Sequence, residues 1–476
     1  MKNCLQITRS LIWAMIVLVS MVSVGCRGYH GPKEAPPVSV PAAFSMNGTD
    51  PVTSRWWRRL PDPEMWALVE SSLDTNFSIR SAYERVKKAS ALFETERSYL
   101  FPWIQAGSDL THWTKKIDGD YINEDQISLD MAVSYELDLW GRLRAGAKAA
   151  KFEYLAQRAD YEAARISLSS QVASKYYEIV ALEEERAIVE RQIARNKASL
   201  SIIEEKYNLG QTDALDLLQQ TQLVQQNISM EIGIRKSLET ARKELAVLLG
   251  VTPGELPKLT KTKAQDKLPP LPPLPRVGVP STLLKRRPDC QRLFLRLKAA
   301  NSRLAKAVAD QYPQINLTGD ITTAASATKD LFENWIATLS AGLLAPVFEG
   351  GRLSAQVKVK EAEAYEALYD YGQALLVAIQ EVEDSLWVEK RQRQLMENLS
   401  SRLELARNTS LLLKDKYLAG EVEYLRFLTA ELSVDDLERQ LVEEQLKLIL
   451  NRIRLYKAIA GPVETTATSD NRKVEP

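Results

Sequence analysis

Apolar and polar residues alternate over one short stretch of this chain. Ile127, Leu129, Met131, Val133, Tyr135 and Leu137 share one parity, and Ser128, Asp130, Ser134, Glu136 and Asp138 the other, with Ala132 the one exception. Strand side chains point to opposite faces in turn, so the pattern predicts a strand with one apolar and one polar face. Trp103 to Trp113 is the expected partner, with the turn region Asp118-Gly119-Asp120 between them. Ile315 to Ile321 and Trp335 to Leu343, joined by a loop of small residues, predict a second pair. Four strands of roughly ten residues have the length that a tilted strand needs to cross a bilayer. Alternation alone favours a half-exposed soluble sheet, whose core-facing side reads the same way. Four strands also cannot close a barrel, so a membrane reading requires several copies to pool them.

Most of the remaining pattern is helical. Asn76 to Leu100 has helical composition and stops before Pro102. From Gly141 to about Leu209 there is no proline, and Gly146 is the only other glycine. A helix of that length is a rod of about 100 Å. The stretch after Gly351 is similar, interrupted only by Gly372. Helices this long need a coiled-coil partner, and seven-residue spacing is visible in Val434, Leu441, Leu448 and Leu455, and in Ile179, Ile193, Leu200 and Tyr207. Arg186 and Asn196 interrupt the apolar stripe, as the wet side of a hollow bundle would.

The chain also repeats itself. Ser98 to Ile104, Gly141-Arg142-Leu143, Lys206-Tyr207-Asn208-Leu209-Gly210 and Leu248-Leu249-Gly250 are answered by Asp310 to Ile315, Gly351-Arg352-Leu353, Lys416-Tyr417-Leu418-Ala419-Gly420 and Ala458 to Gly461. All four offsets are about 210 residues, in the same order, which predicts two halves on one plan. Between them Leu268-Pro269-Pro270-Leu271-Pro272-Pro273-Leu274-Pro275 reads as an extended polyproline linker. The expected organisation is a signal peptide over 1–25, a lipidated leader over 26–55, and a first repeat over 56–262. A Pro-rich linker over 263–280, a second repeat over 281–463 and a flexible tail over 464–476 complete it.

The export reading rests on the N-terminus. Lys2 and Arg9 precede an apolar stretch from Leu11 to Val24 that ends in Gly25-Cys26, a secretory signal in form. Cys26 is the expected lipidated residue, and Arg27 stands where inner-membrane retention commonly uses Asp. Cys290 is then left without a partner, so no mature intrachain disulfide is expected. No later apolar run is long enough for a membrane helix, so any span has to be a closed β-barrel. Lys and Arg number 62 against 62 Asp and Glu, so nothing points to nucleic acid. His30 and His112 are the only histidines, and no phosphate loop, nucleophile elbow or metal-spaced cluster occurs. The chain is therefore read as no enzyme, with no cofactor, no metal and no catalytic residues.

Trp56-Trp57, Asp62-Pro63, Leu284-Lys285-Arg286-Arg287-Pro288-Asp289, the proline before each first strand and the paired Tyr-x-x-Gly turns carry a resemblance that covers nearly the whole mature chain. At these residues the sequence resembles the outer-membrane factor family of TolC-like channels, within it the lipoprotein branch of OprM- and NodT-like proteins. The resemblance implies an α+β fold and a homotrimer. Four strands per protomer, twelve in total, would form a transmembrane β-barrel continued by a long periplasmic α-helical barrel. It implies an outer-membrane channel subunit of a tripartite system, lipid-anchored and reaching into the periplasm. Its partners would be outer-membrane lipid, a periplasmic adaptor and an inner-membrane transporter, and its most expected cargo small molecules such as drugs. Gly210 and Gly420 would mark the tip turns that dock the adaptor, where glycine permits a left-handed turn and close backbone approach. For the periplasmic gate, the family's first-half acid falls on Asp216 and its tyrosine on Tyr417. The linking arginine falls on Val422, and the two constriction acids fall on Arg426 and Thr429. An acidic ring is thus absent, and Arg426 would present positive charge unless it pairs with Glu421 or Glu423. The alternative reading is a lipid-anchored periplasmic coiled-coil scaffold or adaptor without a pore.

Overall fold

A computed structural model describes residues 31–50, 54–255 and 267–461. The signal peptide, Cys26, His30 and the tail from Glu464 lie outside the described residues. In chain order the elements are α1 (Pro63–Thr75), α2 (Phe77–Ser98), β1 (Trp103–Ile117), β2 (Asp120–Leu137), α3 (Arg142–Asn208), α4 (Ala214–Leu248), α5 (Pro280–Arg286), α6 (Pro288–Ala309), β3 (Gln314–Ala325), β4 (Trp335–Leu344), α7 (Arg352–Leu418) and α8 (Tyr424–Ile459). The two long helices α3 and α7 have 67 residues each, and their return helices α4 and α8 have 35 and 36. The helix α7 runs through Gly372 without a break. A Cβ there would come within 2.7 Å of Pro37, so the glycine admits the N-terminal leader rather than interrupting the helix. Among the described residues no helix is long and apolar enough to cross a membrane.

The chain divides into two compact units. The first comprises residues up to Ala35, Ala89–Tyr154 and Phe294–Asp370, and holds one antiparallel sheet in the order β1-β2-β3-β4. Asp118 and Gly119, both at positive φ, form the two-residue turn between β1 and β2. These strands reach 15 and 18 residues, longer than the alternation predicts. The apolar parity ends at Leu110 and Ile127, but backbone pairing continues to Ile117 opposite Asp120. A ladder needs only its amides, whereas the sequence signal needs side chains.

Register sorts the two faces. Ile104, Val133, Gly319 and Leu339 form one row across the sheet, and Ala106, Met131, Ile321 and Ala337 the next row on the same face. The opposite face carries Gln105, Ala132, Asp320 and Thr338, then Gly107, Asp130, Thr322 and Ile336. The apolar face is open: Leu339 is 88% exposed and Leu110 76%. The outer edges of β1 and β4 pair with no described strand. Trp140 stacks on Tyr312 at 5.0 Å beside the sheet and donates to the Pro313 carbonyl.

The second unit comprises Pro36–Lys88, Leu155–Leu293 and the chain from Tyr371 onward. Its core closes around Trp56 and Trp57, with Trp56 stacked on Tyr456 at 5.6 Å. Asp62 caps α1 by accepting from the Met65 amide at 3.2 Å, and Pro63 fills the first helical position. The Pro-rich segment has no helix, as its composition requires. It is pinned along its length: Gln445 donates to the Leu268 carbonyl, Arg452 to the carbonyls of Pro272 and Pro273, and Asp50 bridges Pro275. Arg287 of the Arg-Arg-Pro-Asp stretch reaches Asp289, Glu381 and the Ala458 carbonyl.

The heptads of α8 are inside: Val434, Leu448 and Leu455 are buried, and Leu441 packs against the cluster that holds Val434. Asn196 is a correction. It is 2% exposed, packed between helices rather than on a wetted face, and its carbonyl accepts from Gln220 at 2.7 Å. Arg186 is half-buried in ion pairs with Glu183 and Glu190.

Candidate gate at the helical turns

Both long helices end in the same way. Gly210 is at φ 71°, its amide bonds the Tyr207 carbonyl and the Gln211 amide bonds the Lys206 carbonyl. Gly420 is at φ 79°, with matching bonds to Tyr417 and from Glu421 to Lys416. This is the Schellman closure, in which a left-handed residue turns the chain while satisfying the last carbonyls. A Cβ at either glycine would meet nothing within 4 Å, so the backbone angle alone requires glycine and the expected close approach is not found within the chain. The returns differ. Asp213 caps α4 through the amides of Leu215 and Asp216, whereas Glu423 at the start of α8 makes no side-chain cap.

The structure gathers part of the expected gate. Asp216 lies in the first turn of α4, where the helix dipole favours an acid, and accepts from Thr212 rather than from Tyr417. The Tyr417 ring stacks on Phe427 at 5.9 Å, lies 5.4 Å from Tyr424 and carries the Lys206 ammonium 4.3 Å from its centre. Its hydroxyl is buried without a hydrogen-bond partner among the described residues. Burial pushes that hydroxyl's pKa up, and the nearby Asp216 charge adds to the shift. The two residues therefore feel each other without a bond.

Val422 is half-buried in the turn, and Thr429 is exposed, its hydroxyl returned to the Leu425 carbonyl of its own helix. Arg426 is exposed, and among the described residues it makes no ion pair; Glu421 is engaged by Lys416 instead, at 3.9 Å.

Sequence reasoning missed the partners that do the packing. Ile203, Leu223, Tyr424, Phe427 and Leu428 form a small core directly behind the turns. Tyr424 donates to Gln220, which in turn holds the Asn196 carbonyl. An aromatic pair at 424 and 427, three apart on one helix face, was the available signal.

An amphipathic sheet with open edges, together with two long helical hairpins that end in matched glycine turns, defines the class of efflux-channel subunits. The family profile described as "Outer membrane efflux protein" matches residues 68–251 and 279–461, and the chain belongs to that family. It is 29% identical over 439 residues to the pyoverdine export outer membrane protein OpmQ of Pseudomonas putida, covering 90% of this chain and 92% of that one. It is 26% identical over 457 residues to the probable outer membrane lipoprotein SilC of Salmonella typhimurium, covering 92% and 96%. The outer-membrane channel OprN shares the fold with a TM-score of 0.84 at 23% identity, covering 91% of this chain and 99% of that one. The protein is thus an outer-membrane channel subunit of a tripartite efflux system, and the pore-less scaffold is set aside.

Proposed function

We propose that three copies pool their sheets into one twelve-stranded barrel, with their long helices forming a helical barrel, and that this duct conducts small molecules passively. The observation that carries the reading is the open sheet itself. An unpaired strand edge has no water to satisfy it inside a bilayer, so β1 of one copy must meet β4 of the next. The exposed apolar face fits lipid and the Asp130–Asp320 face fits a wet lumen. The alternating stretch of β2, tilted as barrel strands are, spans roughly 25–30 Å, the height of the hydrocarbon layer.

The finer organisation follows the same reading. The domain bounds given above, with two tandem repeats around the Pro-rich linker, are part of the proposal, as is lipidation at Cys26. Gly210 and Gly420 mark the ends that dock a periplasmic adaptor, which links the duct to an inner-membrane pump. Tyr417 and Asp216 sit at the gate with Val422, Arg426 and Thr429, and three Arg426 side chains disfavour cations at the constriction. Cargo is a small molecule, in keeping with a relative named for pyoverdine export.

Cysteine substitutions on the two faces, with the buried Cys290 left in place, test the barrel. Thr338→Cys reacts with a water-soluble, membrane-impermeant maleimide in outer-membrane vesicles, and Leu339→Cys does not. Equal labelling at the two positions defeats the membrane assignment of the faces.

A further inference from the structure

Arg195 of α3 lies between two carboxylates of α8. Its guanidinium bonds Asp435, and its Nε stands 2.9 Å from Glu431. Asp435 is 2% exposed, and its Oδ2 has no hydrogen-bond partner among the described residues. Gln192 closes the other side, its Nε2 3.3 Å from the Asp435 carbonyl and its Oε1 accepting from Arg439 at 3.0 Å. The charged groups facing Asp435 are Arg195 from α3 and Glu431 and Arg439 from α8, the last shared with Asp436. From α7, Ser410 donates to Glu431, while Arg407 is held by Glu438 at 2.6 Å. From α4, Gln220 engages Tyr424 and not the acids. One guanidinium, itself 39% exposed, therefore serves two acids, of which Asp435 is shut away from water. Arg195 precedes Gly210, and Asp435 follows Gly420, by about four helical turns, so the contact joins the two hairpins above their ends.

We infer that Arg195, Glu431 and Asp435 form a proton-sensitive latch between α3 and α8, which holds the gate shut in acid and loosens as Asp435 ionises. This rests on the channel reading above. Burial pushes the Asp435 carboxyl up to about 6 against the pull of Arg195, and Glu431 adds to the rise. Parting the hairpins wets that carboxyl and returns it toward its ordinary value of 3.8. The closed form then holds the proton more tightly. Its advantage is fully present below the ordinary value and is lost as pH rises through about 6. A gap of about two units bounds the change in the closed-to-open ratio near a hundredfold.

The test is single-channel open probability of the purified full-length protein in planar bilayers, from about pH 5 to about pH 8. Wild type opens several-fold or more as pH rises, with a midpoint near 6. Asp435→Asn, a neutral copy of the protonated acid, stays at the wild type's acid level throughout. Arg195→Met, which strands two carboxylates, is more open than wild type at neutral pH. If Asp435→Asn does not assemble, Glu431→Gln carries the test: with a single acid left to pair with Arg195, its midpoint moves to lower pH. An Asp435→Asn profile that rises with the wild-type midpoint overturns the latch, as does an unmoved midpoint in Glu431→Gln. Wild type that conducts at no pH overturns the channel reading on which the latch rests.

Discussion

Tyr417 lies flat against Phe427, with ring centroids 5.9 Å apart and planes 7° from parallel. The ring is what this tyrosine contributes at the turn, because its hydroxyl is buried and bonds none of the described residues. Asp216, the acid expected at the same gate, is taken by Thr212. A buried hydroxyl without a partner is a net cost to the fold. Tyr417→Phe is therefore neutral or stabilising by up to about 1 kcal/mol, whereas Tyr417→Ala loses the stack and costs about 2 kcal/mol. Thermal unfolding of the two variants separates ring from hydroxyl; a large loss in Tyr417→Phe would show that the hydroxyl is bonded in the assembled protein.

Arg426 is exposed and makes no ion pair among the described residues. Divalent cations added from the helical end should therefore block wild-type conductance weakly, and Arg426→Glu should strengthen the block at least about tenfold in apparent affinity. Strong block of the wild type removes Arg426 from the constriction.

Arg452 and Glu389 make the most deeply buried ion pair described, 0% and 2% exposed in their side chains. Arg452 also grips the Pro272 and Pro273 carbonyls, so it holds the linker as well as the acid. Arg452→Met leaves Glu389 with Arg393 alone and costs about 3 kcal/mol. The same variant frees the segment over 267–275 to proteases. Adding Glu389→Gln restores much of the stability but not the protease resistance, since the carbonyls remain unheld. Full recovery of both would assign the linker's order to other contacts.

Arg287 and Asp289 set an acid limit. Burial alone would raise the Asp289 carboxyl, but hydrogen bonds and charge from Arg287 outweigh it and hold the group below its ordinary 3.8. A depressed carboxylate contributes stability above its unfolded value, and that contribution is lost as pH falls through the folded one. The thermal midpoint of wild type accordingly drops below about pH 4. Arg287→Gln lowers the midpoint at neutral pH and flattens the acid drop; an unchanged acid slope contradicts the pairing.

Strands, long helices and glycine turns were legible because each has a local cause. Alternation at Ile127–Leu137 reports a face, an unbroken run to Leu209 reports a helix, and Gly210 and Gly420 report a backbone angle. Strand ends were not legible, since pairing from Leu110 to Ile117 continues through polar residues that carry no periodic signal. Asn196 was misplaced for a related reason. A polar residue in a helical stripe reads as wet until the helix packed over it is known, and here that helix brings Gln220 onto the Asn196 backbone carbonyl. Of the expected gate residues, resemblance singled out Asp216, Tyr417 and Arg426, but not that Thr212 and Phe427 would engage the first two. Arg195 and Asp435 are about 240 residues apart in the chain, and no local pattern joins them.

The central claim is that this chain forms a pore by pooling open sheets. It is tested most directly by adding the purified, detergent-solubilised oligomer to a planar lipid bilayer. The account predicts discrete, uniform conductance steps from a species that migrates as a trimer unheated and as a monomer after boiling. A folded monomer that leaves the bilayer silent contradicts it.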